Sequence, residues 1–333
     1  MFNHTKVFPA VILSFLMLIG CSNDSETNNK VTSTTKIADL TFQSHDFRTC
    51  LQKQAKANSW VYVGDVINLD CSNSSIVDIS DSQLLVDLET LDVTQNPLSD
   101  ASISLIENVN FEVKRSLLLS ELDFQDPEFS SCAKDSTHRF DYEITELNCS
   151  GREIKSISDV ALLPNLTYIV LLEVPLSDEA IKEFHALNGI SRERSLLVNE
   201  LDIKDDNFRT CLLDSEYRFG FEVTELSCRD LNIASFADTE KLPRLKHLDL
   251  KFVSLSGQAI EELEALEGIS YERSPFVSEL EFEDEQFEAC VLSSGHRFDF
   301  EAAMLNCNGR DIKSFADTAK LPRLNHLILN FIA

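Results

Sequence analysis

Apolar residues recur along the chain at two alternating spacings, and the pattern predicts short strands joined by compact turns. From Leu147 to Leu171 they come first two apart, at Leu147 and Cys149, then mostly three apart until a second pair at Ile169 and Leu171. Alternation with a period of two is typical of a strand buried on one face. Leu147 and Ile169 are 22 residues apart, and residues 226–250 repeat the same ladder.

Two kinds of helix are predicted beside these strands. The first opens on an N-cap residue and carries a Phe and a Cys three positions apart, as in Asp126–Cys132. Asp and Ser are favoured N-caps, and residues three apart share one helical face. The second kind follows the second strand: Ser177 caps it, Ile181 and Phe184 lie on its buried side, and Gly189 is a natural residue for its end. The N-caps predicted for the first kind in the other units are Ser44, Asp205 and Asp284.

The whole pattern returns four times with a period of 78 to 79 residues. For example, Ser235–Thr239 recurs as Ser314–Thr318. Such self-similarity is the signature of a repeat architecture. We therefore predict an α/β solenoid of four units, and Ile190–Arg194 as a third strand. The predicted units are residues 39–120, 121–199, 200–278 and, incomplete, 279–333.

Eight of the nine cysteines fall in pairs that follow this period. Since the first helix of each unit can lie against the following strand with both sulfurs facing, we expect disulfides, each contributing roughly 3 kcal/mol. Reduced core cysteines and a metal site are the alternatives, although no unit repeats a set of four ligands. The pairs are Cys50 and Cys71, Cys132 and Cys149, Cys211 and Cys228, and Cys290 and Cys307.

This ladder resembles the 22-residue leucine-rich repeat of the internalin type, in which each turn supplies one strand to a parallel sheet. The Phe-x-x-Cys…Leu-x-Cys segment looks like the N-terminal cap of some bacterial repeats of that family. Two features depart from it. The usual Asn after the strand is missing where Ser150–Arg152 and Arg229–Leu231 stand, and a cap-like element opens every unit. A row of capped modules is thus an alternative to a smooth horseshoe.

The first residues carry an export pattern. Lys6 precedes an apolar run, residues 7–19, too short for a stable span and fitting a signal peptide. It ends in Leu18–Cys21, which resembles the bacterial lipoprotein signal, and Ser22 after the Cys implies the outer membrane of the cell envelope. We predict a signal peptide over residues 1–20, lipidation at Cys21 and a flexible polar tether over residues 21–38.

Composition limits the chemistry. The net charge is −27, which argues against nucleic acid and anionic membrane surfaces as partners, because both need basic patches. Nucleophile elbows, phosphate loops and zinc-protease motifs are missing from the sequence. The periodic arginines, such as Arg218 and Arg297, predict structural ion pairs. His138 and His296 are replaced by a Tyr in the third unit, which argues against a metal or acid–base role for them. The acidic run Glu279–Glu285 lacks a calcium-loop pattern, and we predict that it forms a solvated strand face leading into a helix.

These observations predict a protein that binds a partner and has no enzymatic activity, no cofactor and no metal. The resemblance places binding on the exposed sheet face, with an envelope or extracellular protein as partner. An adhesive or glycan-binding surface protein and an enzyme without a recognisable motif are the alternatives. The short last unit further predicts self-association through the C-terminal edge. The predicted face consists of Thr90, Asp92 and Thr94; Tyr168, Val170 and Leu172; His247, Asp249 and Lys251; and His326, Ile328 and Asn330.

Overall fold

The computed structural model describes residues 30–330, which form two compact bodies, residues 30–116 and residues 117–330. The predicted signal peptide, Cys21 and the first part of the predicted tether lie outside the described residues.

The first body contains one repeat. Ser44 caps its first helix by accepting a hydrogen bond from the Phe47 N–H, and the helix ends where Ser59 adopts a left-handed φ of 59°. Its elements are α1 (His45–Asn58), β1 (Asn68–Asp70), β2 (Thr90–Asp92), α2 (Asp100–Ile106) and β3 (Glu112–Lys114).

The second body contains three repeats built on the same order of helix, strand, strand, helix and strand. Repeat 3 adds a pair of two-residue strands, and the described part of the last repeat stops after its second strand. Repeat 2 comprises α3 (Pro127–Lys134), β4 (Glu146–Asn148), β5 (Tyr168–Leu171), α4 (Asp178–Ala186) and β6 (Ser191–Arg194). Repeat 3 comprises α5 (Asp206–Leu213), β7 (Glu225–Ser227), β8 (Asn232–Ile233), β9 (His247–Leu250), β10 (Ser254–Leu255), α6 (Gly257–Glu264) and β11 (Ser270–Arg273). Repeat 4 comprises α7 (Glu285–Ser293), β12 (Met304–Asn306) and β13 (His326–Ile328).

All the strand pairs are parallel, and their register follows the repeat length. Leu69 pairs with Leu91, Leu147 with Ile169, Leu226 with Leu248, and Leu305 with Leu327, so that each first strand lies beside the strand 22 residues later. The third strands β3, β6 and β11 then pair with the second. A parallel strand every 22 or 23 residues, with a Leu or Ile at the centre of each first and second strand, is a leucine-rich-repeat-like arrangement. The predicted third strand in repeat 2 is confirmed.

Each first helix lies against the first strand of its own repeat, and a disulfide joins the two. The helix buries its Phe, as at Phe129 and Phe208, on the same side as its Cys. The Cα atoms of the four cysteine pairs are 5.3 to 5.7 Å apart. The four predicted disulfides are therefore present.

Recurring acidic residues tie each repeat together through the backbone. Asp126 caps α3 and also accepts hydrogen bonds from the N–H groups of Lys155 and Ser156, beyond the first strand. Asp159, on the turn between the strands, accepts from the N–H groups of Gln125 and Asp126 in return. Buried backbone N–H groups need acceptors, so these carboxylates stabilise turns that have no ladder partner.

The sheets stay separate, while the cores join. In residues 30–330 no strand pairs with a strand of another repeat. Within the second body, Phe219 and Phe221 of repeat 3 pack into the core of repeat 2, and Phe298 and Phe300 of repeat 4 into that of repeat 3. The second body is thus a row of small sheets with shared hydrophobic junctions, and a continuous four-unit solenoid stays a prediction.

Two sequence expectations differ from the structure. Residues 33–38 were assigned to the tether, yet the N–H groups of Val63 and Gly64 donate to the carbonyls of Thr35 and Ser33, and Ile37 is buried. These backbone contacts outweigh the polar composition that suggested a coil. In α4, Gly189 has the left-handed φ of 75°, but the helix ends earlier, at Ala186.

The consensus Asn, expected to be missing, is present once. Leu88, Leu91 and Val93 precede Asn96 with leucine-rich-repeat spacing. The buried Asn96 side chain accepts from the N–H groups of Ser74 and Ile76 and donates to the carbonyls of Cys71 and Thr94. The equivalent residues of repeats 2 and 3 are buried valines, Val174 and Val253.

Candidate binding surface

The exposed face of each small sheet is built by alternation along its strands. The central residue of each first strand is a buried Leu, and the residues on either side of it point outward. The second strand adds a parallel row beside the first, about 4.8 Å away. Each face therefore consists of parallel rows of outward side chains, and each repeat contributes its own predicted face residues to these rows.

In repeat 1 this surface is polar and hydrogen-bonded within itself. The Thr90 hydroxyl donates to the Asn68 side-chain oxygen at 2.6 Å, and Asp92 accepts from the N–H and hydroxyl of Thr94. Asp70 pairs in register with Asp92. A backbone hydrogen bond from Ser72 lowers the pKa of Asp70 from its ordinary value.

In repeat 2 the middle of the face is apolar. Tyr168 and Val170 lie on β5 and Leu172 follows its last residue; Val170 is 8% exposed and Leu172 is 41% exposed. The Tyr168 hydroxyl donates to Glu193 at 2.6 Å, and this hydrogen bond raises the pKa of Tyr168. The tyrosine ring is thereby held in place beside the valine.

In repeat 3 the same positions are charged and paired with one another. Arg229 lies 3.3 Å from Asp249, and Lys251 forms an ion pair with Glu272 on the neighbouring strand. The pairing raises the pKa of Lys251 and lowers that of Glu272. His247 is hydrogen-bonded through Nδ1 to the Ser270 hydroxyl at 2.9 Å. The positive and negative charges of this face are largely satisfied internally.

The described part of repeat 4 presents an uncharged face. Met304 is 59% exposed on β12, and His326 and Asn330 are also exposed. Ile328 is half-buried. Asn308 accepts a hydrogen bond from the Asn330 N–H at 2.7 Å. All twelve residues predicted for the face therefore lie on or directly beyond the second strands, and each repeat gives these rows a different chemistry.

The periodic arginines are engaged in structural contacts, as predicted. Arg194 and Arg273 pair with Glu200 and Glu279, six residues on. Arg218 pairs with Asp178 and donates to the Leu176 carbonyl of the preceding repeat, and Arg297 makes the equivalent bond to the Leu255 carbonyl.

The acidic run Glu279–Glu285 is also structural, although it does not form the strand predicted for it. It passes from a 3₁₀ turn into the cap of α7, where Asp284 accepts four backbone N–H bonds. His138 is exposed and His296 is half-buried. Among residues 30–330, no group of three His, Cys, Asp or Glu side chains is arranged to hold a metal ion.

One concave feature was not anticipated from the sequence. A cavity of about 410 Å³ lies beside the Cys211–Cys228 disulfide, and Tyr217, Glu225 and Arg229 are among its lining residues. It borders the first strand of repeat 3 and lies between that strand and the turn that follows the first helix. Arg229 joins this cavity to the charged face, because it also contacts Asp249.

Comparisons with known proteins find similar solved structures only. No model of a known protein family matches the chain, and no curated protein matches it. The chain is similar to an internalin C2 of Listeria monocytogenes at 16% identity, covering 74% of this chain and 99% of that one, with a TM-score of 0.21. An internalin InlF of the same organism is 13% identical over 89% of this chain and 84% of that one, with a TM-score of 0.19.

The functional domain of InlJ from Listeria monocytogenes, whose structure includes a cysteine ladder, is 17% identical over 90% of this chain and 72% of its own, with a TM-score of 0.22. At such scores the repeat fold rests on the strand register of this chain itself. No helix within residues 30–330 has the length and apolar character that a membrane crossing requires.

Proposed function

We propose that this protein is a non-enzymatic, envelope-anchored binding module that engages another protein through the exposed faces of its sheets. One observation supports the proposal above others: positions that hold the repeats together recur, whereas positions on the faces do not. The N-cap Asp and the buried strand Leu return in repeats 2, 3 and 4. On the faces, Tyr168 and Val170 become His247 and Asp249 in the next repeat.

The contrast is informative because the repeats share one backbone. A position that the fold needs keeps its residue in every copy, and a position free of structural duty varies. Face residues such as Thr90, Tyr168 and His326 differ in size, charge and hydrogen-bonding groups. An extended surface of mixed polar and apolar side chains is the composition found in protein–protein interfaces.

The rival functions have less support. An enzyme needs reactive groups gathered at one place. In the described residues the recurrent arginines are engaged in contacts between repeats, and the recurrent N-cap carboxylates are engaged in backbone contacts within each repeat. An adhesive protein without a specific partner would not require face chemistry that changes at every repeat. A glycan ligand is favoured only by single face residues, namely Tyr168 and Asn330.

The envelope location is part of the proposal and rests on sequence. The apolar run ending at Cys21 and the polar residues after it suit a lipidated chain tethered to a membrane. Four disulfides suit an oxidising compartment. Self-association through the C-terminal edge stays a separate prediction.

Site-specific photo-crosslinking tests the proposed face. A photoreactive phenylalanine is placed at Thr90, Tyr168 or His247 in cells that export the protein, and in matched controls at Lys182 on the exposed side of α4 and at Gln258 on α6. We expect discrete protein adducts from the face positions and none from the helix positions. Equal adducts from both sets would favour non-specific adhesion, and a complete lack of adducts would refute the protein-binding proposal.

A further inference from the structure

Repeat 2 differs from repeat 3 in how the charges on its face are balanced. The outward positions of β4, β5 and β6 carry two acidic residues, Glu146 and Glu193, and no basic one. The basic residues of β6 alternate with these positions: Arg192 donates to the Leu187 and His185 carbonyls, and Arg194 pairs with Glu200. Within residues 30–330, Glu146 and Glu193 form no ion pair.

The strand register places these two carboxylates on opposite sides of the apolar residues. Glu146 pairs with Tyr168 across β4 and β5, and Glu193 pairs with Val170 across β5 and β6. Adjacent parallel strands are about 4.8 Å apart, so each carboxylate flanks the apolar row by one strand. The result is an apolar strip, Tyr168–Val170–Leu172, bordered by a negative charge on either side.

From this geometry we propose that the repeat 2 face is the anchoring subsite for a cationic segment of a partner protein, one that presents an apolar side chain between lysines or arginines. The inference rests on the proposed function and narrows it to one repeat and one partner chemistry. The apolar side chain packs on Leu172 and the tyrosine ring. The flanking cations reach Glu146 and Glu193 with their long side chains.

Charge complementarity selects this partner over others. An acidic segment meets two unpaired carboxylates on a chain of net charge −27 and is repelled. An uncharged apolar segment leaves both carboxylates without a counter-charge. Repeat 3 lacks the apolar strip, because Lys251 and Asp249 occupy the places of Leu172 and Val170. Its Asp249 and Glu272 are already paired with Arg229 and Lys251, which leaves Glu225 as the outward carboxylate of its described strands that forms no ion pair.

The tyrosine adds specificity to the subsite. Its hydroxyl is fixed by Glu193, so the ring loses little conformational freedom on binding, and buried aromatic residues dominate interface energetics. Leu172, at 41% exposed, has the largest exposed fraction among the three residues of the strip, so a partner can bury it.

Fluorescence anisotropy with three labelled peptides tests the proposal on the purified protein. The first peptide has a central Trp between pairs of lysines, the second has glutamates in place of the lysines, and the third has Ser in place of Trp. We expect the first to bind about ten-fold more tightly than the second and the third at physiological salt. Equal binding of the first and third peptides would overturn the proposal, since charge attraction alone would then explain it.

Substitutions that copy residues of repeat 3 into repeat 2 test whether the peptide binds on the repeat 2 face. Leu172→Lys installs the residue that the same backbone carries in repeat 3, so the fold tolerates it, and should weaken the first peptide about ten-fold. Tyr168→His, also copied from repeat 3, should act in the same direction. The matched control, Lys251→Gln, should leave the affinity within about two-fold.

The outcomes separate this inference from the function on which it rests. If Leu172→Lys leaves peptide affinity unchanged while face crosslinking continues in cells, the assignment to repeat 2 is wrong and the proposed function stands. If the face positions give no adducts in the protein without the Leu172→Lys change, both fall. An unchanged thermal unfolding temperature of each variant shows that any loss of binding is local.

Discussion

At the scale of single residues, carboxylates accept hydrogen bonds from backbone N–H groups that have no partner in a helix or a strand. Asp126 accepts four backbone N–H groups, two in its own helix and two beyond the first strand. Burial alone would raise its pKa, but the four donors outweigh this and lower the pKa from its ordinary value. The same Asp recurs in repeats 3 and 4, and it is a Ser in repeat 1.

Replacing this cap should destabilise the second body. Asp126→Ala removes an N-cap and leaves buried N–H groups without an acceptor, so we expect a loss of about 2 kcal/mol in the free energy of unfolding. Urea denaturation followed by circular dichroism measures it. Asp123→Ala, an exposed position three residues earlier, is the control and should change stability by less than about 0.5 kcal/mol.

The effect should also depend on pH in a defined direction. Because the folded-state pKa of Asp126 is lowered, its contribution is fully present above the ordinary Asp pKa of about 3.9 and is lost as the pH falls through the folded value. The difference between wild type and Asp126→Ala should therefore be largest above about pH 5 and shrink in acid. A difference that grows in acid would contradict this account.

At the scale of elements, each repeat begins with a helix fastened to a strand. Helix α3 is eight residues long and too short to be stable alone in water, so it depends on burial of Phe129 and on its disulfide. The bond closes a sequence separation of 17 residues and limits the unfolded chain. Because the helix depends on the strand for its stability, the helix, the turn and the strand recur together as one unit.

Removing one disulfide should cost stability without changing the fold. Cys132→Ser with Cys149→Ser should lower the free energy of unfolding by about 3 kcal/mol, chiefly by giving the unfolded chain more freedom. Guanidinium denaturation gives the value, and mass spectrometry of the unreduced variant should still find the other three pairs. Unchanged stability would show that burial alone holds the helix in place.

At the scale of the whole molecule, side-chain packing and a few main-chain hydrogen bonds join the repeats of the second body, and no continuous sheet does so. Phe219 and Phe298 enter the core of the preceding repeat, and Arg218 and Arg297 bond to its backbone. Arg323 makes an ion pair with Asp230, one repeat earlier. Separate sheets let each face keep its own chemistry while the junctions stay the same.

Cys21 gives the proposed location a direct test. In cells supplied with labelled palmitate, the wild type should be labelled and should sediment with membranes, because the acylated Cys carries the anchor. Cys21→Ser should lose the label, whereas Ser22→Ala should keep it. Label retained by Cys21→Ser would remove the lipoprotein assignment.

Local pattern was enough to predict much of this protein. The 22-residue ladder from Leu147 to Ile169 predicted parallel strands, and the recurrence of Cys132 and Cys149 predicted the disulfides, because burial and alternation leave periodic marks in a sequence. The same alternation predicted which side of each strand is buried, and it fails at Val170, which was predicted to be exposed and is buried.

Features that depend on contacts between distant residues could be read only from the tertiary structure. Residues 33–38 are ordered because the distant Val63 and Gly64 donate to them, and Phe219 and Phe298 pack into the core of the preceding repeat. The charge balance of the faces belongs here too. Glu193 and Glu272 occupy the same position in the same strand register, yet one carboxylate has no counter-ion and the other is paired with Lys251. The sequence supplies Leu172 in one repeat and Lys251 in the other, and the tertiary structure shows that residue 251 meets the carboxylate of the neighbouring strand.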